Sequence, residues 1–177
     1  MSKCKNFRNY FADQVLVTSE FLGLDLNNKE DVDSPRFSLI REIQVRQEKL
    51  QALYAELDEV GVGMIVANES GDSFALILPD ASEPGRFRYS GFRAIGWMTH
   101  YTVDTLDEAV LEAFKAGYTR VAARDTLDKM SATTEWKKGC ERLAHIQAHQ
   151  NGHLTWTEML SEFQTIELKY AQQQLAA

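Results

Sequence analysis

Helical spacing runs over residues 35–60 and stops at Gly61-Val62-Gly63, and no other feature limits the fold of this chain so strongly. Phe37, Ile40, Ile43, Leu50, Leu53, Tyr54, Leu57 and Val60 recur at intervals of three and four, which gathers apolar side chains on one side of an α-helix. Arg41, Glu42, Arg46, Glu48, Lys49, Glu56 and Glu59 fill the other faces. Ser34-Pro35 suits the start, because serine can accept from free amides and proline fits a first turn. The glycines suit the stop. Too few clean heptads are present for a coiled coil.

Beyond Gly63 the period changes. Residues 64–67 and 74–78 are short apolar runs on either side of the turn-rich segment 68–73, which predicts a β-hairpin. Residues 79–85 contain two prolines and a glycine and read as a connection. A third strand is expected over 86–97, kinked at Gly91 or Gly96. Residues 120–123 are a fourth strand or a loop. Short connections between neighbours predict an antiparallel meander.

Helices account for the rest. Phe7, Tyr10, Phe11, Val15 and Phe21 mark an amphipathic helix within 7–24, followed by an acidic loop over 25–34. Thr105 and Glu108 form a capping box before a helix carrying Leu106, Ala109, Val110, Ala113 and Phe114, which Gly117 ends. A further helix covers 131–150 and breaks at Asn151-Gly152. A second box, Thr155 with Glu158, opens a last helix with Trp156, Met159, Leu160, Phe163, Ile166 and Tyr170 on one face. The expected fold is therefore α+β. A three- to four-stranded antiparallel sheet is flanked by a long N-terminal helix and by a C-terminal helical hairpin that packs on it. One domain spans 1–177, with 1–34 as a peripheral arm.

Composition narrows the function classes. The chain has 177 residues, of which 44% are hydrophobic and 25% charged, enough to build a core without metals or cross-links. No apolar run approaches the roughly 20 residues that span a bilayer, and no signal peptide is expected. Cys4 and Cys140 form neither a metal spacing nor a disulfide framework, so a cytoplasmic location is expected. The net charge of −7 disfavours broad attraction to phosphate backbones.

Several clusters are candidate sites. Arg86, Arg88 and Arg93 alternate with Phe87, Tyr89, Phe92, Trp97, His100 and Tyr101 in an otherwise acidic chain. Such a strand can stack bases and grip phosphate, or it is a half-buried strand with aromatics inward. His100 and Tyr101 with Asp104 and Asp107 offer acid–base chemistry, although acids in a first helical turn favour the helix dipole anyway. His145 and His149 are four apart, a spacing able to chelate metal, yet helical phase places them opposite Trp136, Cys140 and Leu143, toward solvent. Gly61 and Gly63 precede a strand, the reverse of a phosphate loop. Asp25, Glu30, Asp31 and Asp33, with Glu56, Asp58 and Glu59, form an acidic surface able to engage a basic partner.

No nucleophile elbow, metal spacing, phosphate loop or cofactor fingerprint occurs. The chain is therefore expected to be a non-enzymatic protein-binding factor, an adaptor, inhibitor or immunity-type protein that occupies a partner's surface, with no metal or cofactor and with a homodimer left open. A nucleic-acid binder using residues 86–101 and a small enzyme with a site near His100 are the alternatives. The discriminating observation is an exposed patch on the long helix or on a strand edge.

Overall fold

The computed structural model describes residues 6–175, so Cys4 lies outside the described residues. Among these, seven α-helices and five strands form an α+β fold. The expected hairpin is present as β1 (Ile65–Asn68) and β2 (Ser73–Pro79). Asn68 shapes its turn, its side-chain oxygen accepting from the amides of Gly71, Asp72 and Ser73.

The region read as one kinked strand is two. β3 (Phe87–Arg93) and β4 (Gly96–Val103) pair antiparallel, Arg93 opposite Gly96, with Ala94 and Ile95 as the loop. Gly96 has φ +105°, a conformation that L side chains resist. An apolar loop of this kind carries none of the usual turn signals, so the fold-back was hidden. β5 (Tyr118–Val121) is the outer strand that residues 120–123 suggested. The sheet is wholly antiparallel in the order β4-β3-β2-β1-β5.

Its two faces are covered differently. α3 (Ser38–Val60), preceded by a 3₁₀ turn at Pro35–Phe37, and α4 (Leu106–Lys115) cover one face. Leu50, Leu53, Tyr54, Leu57, Val110 and Phe114 meet Val66, Ala75, Ile77, Tyr89 and Val103 there. α4 runs from β4 to β5, carrying the chain from one sheet edge to the other. α1 (Tyr10–Leu22) packs outside α3; its Phe11 enters the main core, and Val15 joins Leu24, Phe37 and Ile40 in a second cluster. The acidic loop contains a short helix, α2 (Lys29–Asp33), capped by the Asn28 side chain.

On the opposite face Ile65 and Phe92 pack with Trp136 of α6 (Thr134–Gln150), joined by Leu127 and Met130 of α5 (Thr126–Ser131). α6 and α7 (Trp156–Leu175) form the expected C-terminal helical pair; α6 lies against the sheet and α7 packs on the outer side of α6. That outer side is polar. Glu167 pairs with Lys138 and Arg142, and Glu141 accepts from Lys169 and Tyr170. His145 and His149 are accordingly half-buried rather than turned to solvent. No helix among the described residues is long and apolar enough to cross a membrane.

Candidate functional site

Strand alternation sorts the arginine–aromatic segment. Phe87 and Tyr89 turn toward α3 and α4, and Tyr89 is buried in the main core. Arg88, Ser90 and Phe92 turn to the α6 face, where Phe92 is 0% exposed and lies edge-on to Trp97 and Trp136. Arg86 is held by Glu83 at 2.5 Å and Asp104 at 3.1 Å. Arg93 is exposed beside the β3–β4 loop. Tyr89 and Phe92 are thus packed inside, while Trp97, His100 and Tyr101 remain at the surface.

β4 is the surface feature that stands out. It is an eight-residue strand at the sheet edge, and residues 97–101 are all exposed, on both faces of the strand. Met98 is 49% and Tyr101 51% exposed, and Ile95 in the preceding loop 58%. The other edge, β5, has only four residues. A long apolar edge presents a row of unpaired N–H and C=O groups that another chain can extend.

Beside this edge lies a groove of about 360 Å³, between the sheet and α6. Leu76, Leu78 and Leu143 give it an apolar lining, and Arg88, Ser90, His100 and Gln147 are its polar members. The Arg88 side chain makes no hydrogen bond or ion pair with any described residue, and its Nε is buried without a partner. Arg86 and Arg142 also have a buried Nε without a hydrogen bond, but Arg86 Nε lies 3.1 Å from Asp104 and both side chains are ion-paired to a carboxylate. Next to Arg88 on the same face, Thr102 donates to Asp80 at 2.5 Å.

Asp80 was not singled out in the sequence. It is buried beyond β2 and also accepts from the amides of Ser82 and Glu83. The Thr102 hydroxyl, then the Ser82 amide, hold its carboxyl well below the usual carboxylate range. A depressed folded value means stabilisation that is complete above the ordinary value, about 4, and is lost as pH falls through the folded one. The stability gap between wild type and Asp80→Asn is therefore expected to narrow below about pH 4 in urea unfolding. A gap that stays constant from neutral to acid pH contradicts this role.

The remaining candidates separate. His100 faces the groove and Tyr101 the opposite side, while Asp104 pairs with Arg86 and Asp107 with Arg8. His149 Nδ1 lies 2.9 Å from the Leu154 carbonyl, and its ring meets Trp156 edge-on. Among the described residues no group of three or more His, Cys, Asp or Glu is placed to hold a metal ion.

The acidic residues form two clusters. Asp31, which accepts from the Asp25 amide, and Asp33 lie before α3; Glu56, Asp58 and Glu59 lie at its other end, about 34 Å away for 23 residues. Arg8 clasps Asp58 and Asp107 together, each within 2.8 Å, and Arg124 lies 3.8 Å from Glu59 and 4.0 Å from Glu56. These cations offset the cost of acids at a helix C-terminus. Arg8 joins residues 50 and 99 positions away, a pairing that no local pattern signals.

Two larger grooves, about 590 and 560 Å³, run along α1. Some of their polar groups are engaged: Lys115 pairs with Glu112, and Gln47 Oε1 accepts from the amides of Phe11 and Ala12. Leu16 and Val17 line these grooves, and Phe21 of α1 with Leu39 and Val45 of α3 are further exposed apolar residues. Comparison with protein-family models, curated proteins and solved structures finds no match to this chain.

Proposed function

We propose that this protein works by binding another protein, as an adaptor, inhibitor or immunity-type factor, and that the β4 edge is the surface it offers. The observation behind this reading is the exposure of residues 97–101 along an unpaired eight-residue edge strand. An extended segment of a partner can continue the sheet there, with main-chain hydrogen bonds supplying affinity and alternate side chains supplying specificity. The neighbourhood is basic. Arg88, Arg93 and His100 stand near the edge without ion pairs among the described residues, so a segment carrying acidic side chains is the complementary partner.

The apolar residues of α1 and α3 form a competing surface, but a helix face has its backbone groups satisfied internally. An edge strand does not, which favours β4. Burial of Tyr89 and Phe92 and the pairing of Arg86 leave fewer groups for stacking bases or gripping phosphate.

The test is affinity capture from lysate of the native host, with wild type beside a Met98→Lys/Tyr101→Lys variant. Lysines on an edge strand disfavour strand addition. One stoichiometric protein is expected with wild type, surviving nuclease, and its recovery is expected to fall about tenfold or more with the variant, the effect of losing roughly 1.4 kcal/mol of binding. Equal recovery by both proteins contradicts the reading, as does recovery that depends on RNA. Concentration-dependent dimerisation abolished by the same substitutions would instead make a second copy of the chain the partner.

A further inference from the structure

The groove between the sheet and α6 holds an unpaired cation against an apolar lining, and that combination has a definite chemistry. We propose that it is a binding site for a small carboxylate with an apolar body, received by the Arg88 guanidinium. Arg88 is half-buried with its Nε out of solvent, and a buried polar atom left without a partner costs free energy. Among the described residues, Arg86, Arg88 and Arg142 each have a buried Nε without a hydrogen bond, and of these three Arg88 alone has no carboxylate in ion-pair reach. The nearby Asp80 does not fill this role, because its oxygens are taken by Thr102, Ser82 and Glu83 and no ion pair to Arg88 forms.

The surroundings define the rest of the ligand. Leu76, Leu78, Leu143, Trp97 and Met98 offer apolar surface, and the groove is about 360 Å³, at the small end of ligand sites. Ser90, His100 and Gln147 provide further hydrogen-bonding groups beside Arg88. The planar guanidinium matches a carboxylate through two parallel N–H donors. Inorganic phosphate would meet the cation but waste the apolar walls. A neutral analogue would meet the walls but leave the cation unpaired. The site stands whether or not β4 takes a partner chain.

The test is a titration of the full chain followed by amide and indole NMR shifts, with phenylacetate, phenylacetamide and inorganic phosphate as probes. Phenylacetate is expected to move the signals of residues 88–100 and the Trp97 indole saturably, and to bind at least about tenfold more tightly than either other probe, as a charge-assisted hydrogen bond implies. Arg88→Gln should erase the preference over phenylacetamide, while Arg93→Gln, at an exposed position, should leave it intact. Arg88→Lys, keeping charge without the fork, should retain part of it and guards against a folding defect in Arg88→Gln. Equal binding of phenylacetate and phenylacetamide overturns the proposal. So do tighter binding of phosphate, shifts confined to the α1 grooves, and the absence of saturable shifts with any probe.

Discussion

Gly139→Ala is expected to destabilise the protein by about 3 kcal/mol, at the upper end of the cost of overpacking. On an isolated helix the same change stabilises by about 1 kcal/mol, because alanine is the better helix former. The sign is therefore informative. A Cβ at Gly139 would fall 1.6 Å from the Ile95 carbonyl oxygen and 2.3 Å from its carbon. These are backbone atoms, so no rotamer change relieves the clash and α6 must move away from the β3–β4 loop. Gly96 meets the same helix from the other side, its own Cβ position 3.3 Å from the Cys140 amide nitrogen and sulfur. For a chain of this length the loss corresponds to a fall in Tm of about 6–12 °C. Hydrogen exchange should show the loosening first in α6 and α7, since α7 packs on α6. A variant as stable as wild type, or more so, means that α6 does not sit against this loop.

Phe92→Ala is expected to cost about 4 kcal/mol, in the range found for deleting a buried aromatic ring. Phe92 has no exposed surface, stacks on Phe74 at 5.5 Å between ring centres, and contacts Trp97 and Trp136 edge-on at 5.5 and 5.8 Å. Removing it opens a cavity where the sheet meets α6. It also frees Trp97, which shapes one wall of the groove. Phe92→Leu keeps most of the volume and is expected to lose less than about 1.5 kcal/mol, as volume-conserving swaps do. Urea unfolding of the pair decides the matter. A loss under about 1 kcal/mol for the alanine variant would remove Phe92 from the core and return it to the surface chemistry of its strand.

What the sequence made legible follows from how local each signal is. The helix over residues 35–60 and the hairpin around Asn68 were readable because a period and a turn motif each lie within a few residues of chain. The capping boxes were readable for the same reason; Thr155 and Glu158 do bond reciprocally, the Thr155 amide donating to Glu158 at 2.8 Å and the Glu158 amide to Thr155 at 3.3 Å. The β3–β4 fold-back was not readable, because its loop is Ala94-Ile95 and only the φ of Gly96 betrays it.

The phase of α6 was half readable. Trp136 and Cys140 do turn to the sheet, but the opposite face is covered by α7 through Glu167, Lys169 and Tyr170. A polar helix face need not face water when its charges find partners. The candidate site divides in the same way. Arg88 lies in β3 at the groove and Arg86 just before the strand, yet nothing local distinguishes the two arginines. Arg86 pairs with Asp104, and Arg88 forms no ion pair with any described residue. That difference is the basis for proposing the groove as a site, and it exists only in three dimensions.

β4 is the proposed working surface, and amide hydrogen exchange on the captured complex tests this most directly. With the partner bound, residues 95–103 are expected to gain protection of about tenfold or more, as backbone amides enter new ladder hydrogen bonds worth roughly 1.4 kcal/mol in local opening. Exchange along α1 and along residues 39–48 of α3 is expected to stay as in the free protein. Protection appearing on α1 and α3 while β4 exchanges unchanged would contradict the account and move the working surface to the exposed Leu16, Val17 and Phe21.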